Sequence, residues 1–511
     1  MKSNIIRAAF FVCVSMAVAI AAAKPIVVYN EDDSNFIGGD GMAFSNYLNS
    51  ICRGTVTHFL FCPNSMRSNI GTKSIEPIWK ALEEPWAKPD GRCPAFKRLH
   101  DAGIDPYRFY IDAARAKGVS PGISMRMNDH HWVTEPDYCA LSDFWRAHPE
   151  FRREQTKPQK GRWNWDDYNF DYAHKEVRDY FLAYVAELLE RYDVDVFECD
   201  WLRTAMCLRA GREAADAHFI SEFMREVRML AAAAAQRRGH PVKVSVRVCP
   251  VIATNQAIGY DVLQWVRDGS VDWVVGCNDW DCANFDIDVA GWEAEISKTG
   301  RDVLFIPGLD RNIRESYAPD SAKHNLSRAE YFAWCDGVFA KGAKGVYLFN
   351  LFGIERSRGV WDAALDGDIL PPKCGAYRRV YPIWYDDLTR SCYPKSLAEA
   401  VCEIKFFVGT TQTKGGITFR CAFTGCVTEK DAGRFTLNGC LPLGVTQGST
   451  HAWSENEGRV ESEWDVFYPV SAIRSGYNRI SLPQLKDVAF TSGCLELDPK
   501  GTHMSQVHLN K

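Results

Sequence analysis

The sequence predicts an α/β protein, a (β/α)8 TIM barrel followed by a C-terminal all-β sandwich. Three observations lead there. Eight short β-rich runs alternate with helical stretches over the first two-thirds of the chain, the pattern of parallel βα units. Beyond about residue 385 helical periodicity fades, and short alternating runs appear between Gly, Asn and Thr turns. The 511 residues also exceed what one hydrophobic core usually organises.

The eight runs are Ile-Val-Val-Tyr-Asn at 26–30, Thr-His-Phe-Leu-Phe-Cys at 57–62, Gly-Ile-Ser-Met-Arg-Met at 122–127 and Val-Asp-Val-Phe-Glu at 194–198. Val-Lys-Val-Ser-Val-Arg-Val at 242–248, Trp-Val-Val-Gly-Cys at 273–277, Val-Leu-Phe-Ile at 303–306 and Gly-Val-Tyr-Leu-Phe at 345–349 follow. Eight such units suit a closed barrel with insertions better than an open sheet. Between them, Val177, Phe181, Tyr184, Val185 and Leu188 share one face of a helix over 175–191. A second helix runs over 215–238 and stops at Gly239. A third opens with Ser327 and Glu330 at capping-box spacing. Two long connections, 63 to about 100 and 128 to about 174, follow strands and would build the catalytic face. In the tail, 404–408, 416–420, 434–438 and 477–482 read as sandwich strands. The expected division is a signal peptide over 1–23, the barrel over 24–388 and a jelly-roll-like sandwich over 389–511.

The signal is read from Lys2 and Arg7, an apolar run over 8–20, and Ala21-Ala22-Ala23 before Lys24-Pro25. No later run is apolar enough for a membrane span. The expected location is therefore periplasmic or extracellular. A net charge of −5 without a basic stripe argues against nucleic acid as a partner. The sequence carries no sign of an oligomeric state. Of 18 cysteines, Cys13 lies in the signal. Many others sit inside strand runs, as Cys62, Cys199 and Cys249 do, and read as free core thiols. A bridge or two is expected only in the C-terminal region. No spacing matches a zinc pattern, so neither metal nor organic cofactor is expected.

The fourth run carries the sharpest signal. Side chains alternate along a strand, so Val194, Val196, Glu198 and Asp200 share a face. An inward face that passes from valines to two acids delivers those acids to the strand's C-terminal end, where barrel enzymes do chemistry. The competing reading is structural: each acid forms an ion pair with Arg203 or Arg247. Other strand ends are polar too, with Asn30, Asn128, Asp129, His130 and His131, Asp279, Asp310, Arg311 and Asn350. Such a concentration is what a binding face requires.

Glycoside hydrolysis takes two carboxyl groups on either side of the scissile bond. Asp200 is the first candidate. Its partner is sought in Asp279, then Asp310, then Glu198, with a helix N-cap the equal alternative for Asp279. Asn128, His130, Trp132, Trp201, Arg203, Arg247, Trp280 and Asn350 are candidates for holding a sugar, the tryptophans by stacking. Trp145 lies at helical spacing and reads as core.

The stretch over 169–179, with Phe-Glu-Cys-Asp200-Trp-Leu-Arg203, resembles a group of exported bacterial barrels of glycosyl-hydrolase-like type, akin to the glycosyl hydrolase family 10-like group. Their strand-four motif is similar to Asp-Gly-Ile-Glu-Leu-Asp-Trp/Phe-x-Arg. Met127-Asn-Asp-His130 and the run from Ser142 to Glu150 resemble the same group. The likeness spans about 26–383. It implies Glu198 and Asp200 as active-site acids supported by Arg203, with Val196 standing where the group often has Gly. A second likeness, to α-galactosidase-type barrels, implies Asp200 as nucleophile and Asp279 as acid/base. Strand seven ends in Gly308-Leu-Asp310-Arg311 and lacks the Glu of the larger retaining clan. The expectation is an exported glycoside hydrolase. The rivals are a non-catalytic carbohydrate-binding barrel and a deacetylase or esterase. The last would need a metal triad or a serine elbow, and the chain has no Gly-x-Ser-x-Gly.

Overall fold

The computed structural model describes residues 24–31, 46–47, 49, 52, 54–129, 131, 133, 135–153, 168–278, 282–314, 323–349, 376–382, 395–398, 400–448 and 460–501. Eight parallel strands close a barrel. They are β1 (Ile26–Glu31), β2 (His58–Phe61), β3 (Ser120–Arg126), β4 (Val196–Asp200), β5 (Lys243–Val248), β6 (Trp273–Gly276), β7 (Leu304–Asp310) and β8 (Gly345–Phe349), with β1 pairing β8. Each coincides with one of the eight runs. β4 and β7 extend past them to end on Asp200 and Asp310.

The outer layer holds α1 (Arg92–Asp101), α2 (Pro106–Ala116), α3 (Lys175–Arg191), α4 (Glu213–Arg238), α5 (Ile252–Ala257), α6 (Val262–Arg267), α7 (Val289–Ser297) and α8 (Arg328–Ala340). α3 buries Val177, Phe181, Tyr184, Val185 and Leu188, as its periodicity requires. α4 ends at Gly239, whose φ of 76° is the left-handed conformation that favours glycine. The Ser327/Glu330 capping box is formed.

The connections after β2 and β3 pack on one another. Wholly buried Arg67 binds Glu84 at 2.7 Å and Glu76 at 3.4 Å in its own connection, and Asp143 at 3.2 Å in the other. The described cysteines are mostly buried, as small apolar groups.

The C-terminal strands are β9 (Arg379–Pro382), β10 (Lys395–Ser396), β11 (Cys402–Val408), β12 (Gly416–Thr424), β13 (Thr436–Leu437), β14 (Gly444–Gln447), β15 (Ser462–Tyr468), β16 (Gly476–Leu482) and β17 (Ala489–Asp498). One antiparallel sheet runs β9-β17-β12-β15-β14, with β10 also on β17, and the second runs β11-β16-β13. Their inner faces share a core of residues such as Phe406, Phe419, Phe435 and Leu495. β9 belongs to this sheet through pairs such as Arg379 with Leu497, so the sandwich begins ahead of the boundary expected at 389. α8 carries the sandwich. Its buried Asp336 accepts from Arg379 Nη1 at 2.8 Å, Tyr381 OH at 2.9 Å and the backbone N–H groups of Gly409 and Thr410 at 2.9 and 3.0 Å. A Cβ at residue 409 would lie 2.3 Å from the Asp336 carbonyl oxygen, so only glycine allows this approach.

Candidate active site

Register fixes the layers of the barrel mouth. Ser124, Glu198 and Ser245 lie side by side on β3, β4 and β5, and one step higher lie Arg126, Asp200 and Arg247. Alternation turns all six inward. Glu198 is wholly buried. Ser124 donates to its Oε1 at 2.7 Å, Ser245 to its Oε2 at 2.8 Å, and Tyr347 to Oε1 at 2.5 Å from β8. Asn30 of β1 donates to the Tyr347 hydroxyl at 2.7 Å, which completes a chain across the barrel. Burial, and then the charge of Asp200, push the Glu198 carboxyl up to about 7 against the pull of the three hydroxyls. Glu198 therefore lies one layer beneath Asp200, its carboxyl held by hydroxyls of three strands.

Asp200 ends the strand above it. Its Oδ1 accepts from Arg247 Nε at 2.9 Å and from the backbone N–H groups of Leu202 and Arg203 at 3.1 and 3.0 Å. Its Oδ2 accepts from Arg247 Nη2 at 3.1 Å, and the guanidinium rests 3.7 Å from the centre of the Phe349 ring. The ion pair raised in the structural reading of Asp200 is thus present, and it is bidentate.

Arg247 is turned to Asp200 and Arg203 to the loop after β3. Arg203 Nη2 donates to His131 Nε2 at 2.9 Å, and His131 Nδ1 meets Asp129 Oδ1 at 2.5 Å. Arg126 donates to the other oxygen of Asp129 at 2.6 Å. Burial alone would raise Asp129, but His131, Arg126 and Arg203 hold it well below the usual carboxylate range. Burial keeps His131 below its ordinary value. A neutral ring with its proton on Nδ1 satisfies both contacts.

Asp310 ends β7, wholly buried, and its Oδ1 accepts from the Arg311 N–H at 2.6 Å. Its register partner on β8 is Phe349, the ring on which Arg247 rests, and the buried Cys277 follows β6, the strand between β5 and β7. Burial raises that thiol to about 12, with Arg247 lowering it and Asp310 and Asp200 both raising it. Gly308 makes room for it, since a Cβ there would lie 2.7 Å from the Cys277 Cβ.

Two expected sugar-binding residues have other work. Trp201 is wholly buried, with its ring among Tyr172, Phe223, Tyr260 and Trp265, so it packs the helical layer and offers no stacking surface. Asn128 is buried and staples the Phe170 backbone, donating to its carbonyl at 3.1 Å and accepting from its N–H at 3.0 Å. Asp279, His130, Trp132, Trp280 and Asn350 lie outside the described residues. Tyr347 is the site residue that sequence reasoning missed. The available signal was a hydroxyl-bearing ring at an inward position of β8.

No family model matches this chain, and neither does any curated protein. Among solved structures, the chain is similar to an endo-β-1,4-mannanase from Thermotoga petrophila, at 12% identity and a TM-score of 0.44 over 92% of this chain and 97% of that one. It is also similar to α-L-fucosidase isoenzyme 2 from Paenibacillus thiaminolyticus, at 12% identity and a TM-score of 0.42 over 68% of this chain, spanning 48% of the fucosidase. The PgaB (BpsB) glycoside hydrolase domain from Bordetella bronchiseptica gives 8% identity and a TM-score of 0.42 over 67% and 98% of the two chains. These are likenesses of fold and assign no activity.

Proposed function

We propose that this protein is an exported glycoside hydrolase acting on an oligo- or polysaccharide, with Asp200 and Asp310 as its carboxyl pair. The observation that carries the reading is that Asp200 and Asp310 end β4 and β7 at one mouth of the barrel, with Arg247 bound to Asp200 and resting on Phe349, the register partner of Asp310. Asp200, held in place by Arg247 and two backbone N–H groups, attacks the anomeric carbon or activates water. Asp310 donates a proton to the leaving oxygen, with Asp279 the alternative acid. Glu198 touches no sugar in this scheme; it is held one layer below by Ser124, Ser245 and Tyr347. Export rests on the basic and apolar pattern of 1–23, and no described helix is long and apolar enough to cross a membrane.

Reducing-sugar release from a panel of plant and algal polysaccharides tests this. The wild type is expected to cleave at least one polymer, and Asp310→Asn to slow that cleavage by about 10²–10⁴-fold, as loss of a general acid does. Unaltered turnover in Asp310→Asn removes it from the pair. A second reading, a carbohydrate-binding barrel without turnover, is favoured by the four hydrogen bonds that already occupy Asp200. Calorimetric binding of an oligosaccharide that the wild type never cleaves would select it.

A further inference from the structure

Two buried thiols outside the barrel mouth face each other across the two long connections. Cys93 is the second residue of α1, in the connection after β2, and Cys139 lies in the connection after β3. Neither has any exposed surface. Their sulfurs and an Asp90 carboxylate oxygen lie within 4.8 Å of one another, and the Cys93 thiol donates to Asp90 Oδ1 at 4.0 Å.

The backbones around them already run side by side. The Lys88 N–H donates to the Asp137 carbonyl at 2.6 Å, Lys88 bridges Tyr138, and Arg92 Nη2 donates to the Tyr138 hydroxyl at 2.7 Å. Little chain movement separates the two sulfurs from bonding.

We propose that Cys93 and Cys139 form a disulfide that locks the connection after β2 to the connection after β3. A structural zinc ion fits the same atoms less well. It takes four ligands, and the described residues offer three here. One of those, Asp90, is also held by Arg92, whose Nε and Nη2 donate at 3.0 and 2.8 Å and whose N–H donates at 2.9 Å.

The chemistry balances as an exchange with a disulfide-bearing oxidant, either a thiol–disulfide oxidoreductase or oxidised glutathione. One of the two thiols gives its proton to solvent and attacks as the thiolate. That thiolate displaces one thiolate from the oxidant and forms a mixed disulfide. The other thiol then gives its proton to solvent and attacks the chain's sulfur in the mixed disulfide, releasing the second thiolate. Two thiols of the chain are oxidised and the oxidant's disulfide is reduced to two thiols. Because both sulfurs end up buried, the exchange runs while the connections dock. Export supplies such an oxidant in the cell, but the crosslink itself does not depend on the glycosidase reading.

The test is to refold the full chain in a glutathione redox buffer and alkylate free thiols with iodoacetamide in denaturant without reductant. The digest is then mapped by mass spectrometry. A peptide joining Cys93 to Cys139, lost on reduction, is expected. A lower Tm is expected for Cys93→Ser/Cys139→Ser than for the oxidised protein. Carbamidomethyl groups on both cysteines would overturn the proposal. Protection of both thiols by one equivalent of zinc would overturn it as well. The map reads the wild-type chain, so it stands even where the variant fails to fold.

Discussion

Arg247→Met is expected to lower the unfolding free energy by about 3–5 kcal/mol, the usual cost of stripping one partner from a buried ion pair. Arg247 and Asp200 are 1% and 3% exposed, so water cannot replace the lost guanidinium. Methionine preserves length and a contact with the Phe349 ring, which separates the loss of charge from a loss of packing. Adding Asp200→Asn to this variant is expected to recover much of the deficit, because removing both charges leaves none uncompensated. Denaturant unfolding followed by tryptophan fluorescence reads both effects. A cost below about 1 kcal/mol for Arg247→Met, the range of an exposed pair, would mean that the clamp does not hold Asp200.

Glu198→Gln is expected to change how stability depends on pH. In the unfolded chain a glutamate loses its proton near about 4.3, whereas burial and Asp200 keep Glu198 protonated to about 7 in the folded chain. Between those values the folded state binds more protons, so this residue's contribution is complete below the lower value and is lost as pH rises through the upper one. The difference is worth roughly 3 kcal/mol. Glutamine never ionises, so the stability of the variant relative to wild type is expected to rise by about that amount from pH 4.5 to 8. Parallel pH profiles for the two proteins would show that Glu198 ionises as an ordinary carboxyl.

The barrel was legible because its signals are local. Alternation in Val196, Glu198 and Asp200, the periodic face of α3, Gly239 and the Ser327 cap each specify their element within a few residues. The same alternation, followed one step further, places Trp201 with Phe197 and Cys199 on the outward face, where the structure has it; reading it as a sugar platform set that parity aside. Asn128 misled for another reason. It has the parity of Arg126, but its amide reaches the Phe170 backbone 42 residues away. Tyr347 meets Glu198 across 149 residues and the full width of the barrel, a contact that only closure creates. β9 was absorbed into the barrel because its partner, β17, lies at the far end of the sandwich. Non-local pairing of this kind leaves no trace in a window of sequence.

The proposed function requires Asp200 to do chemistry and not to serve only as the counter-ion of Arg247. Binding and cleavage of one oligosaccharide, compared side by side for wild type and Asp200→Asn, separate the two roles. Calorimetry reads the binding and reducing-end release reads the cleavage. The variant is expected to bind with affinity close to wild type while release falls by about 10²–10⁴-fold, the size of a lost acid–base or nucleophilic group. Release at the wild-type rate from a folded Asp200→Asn protein would contradict it.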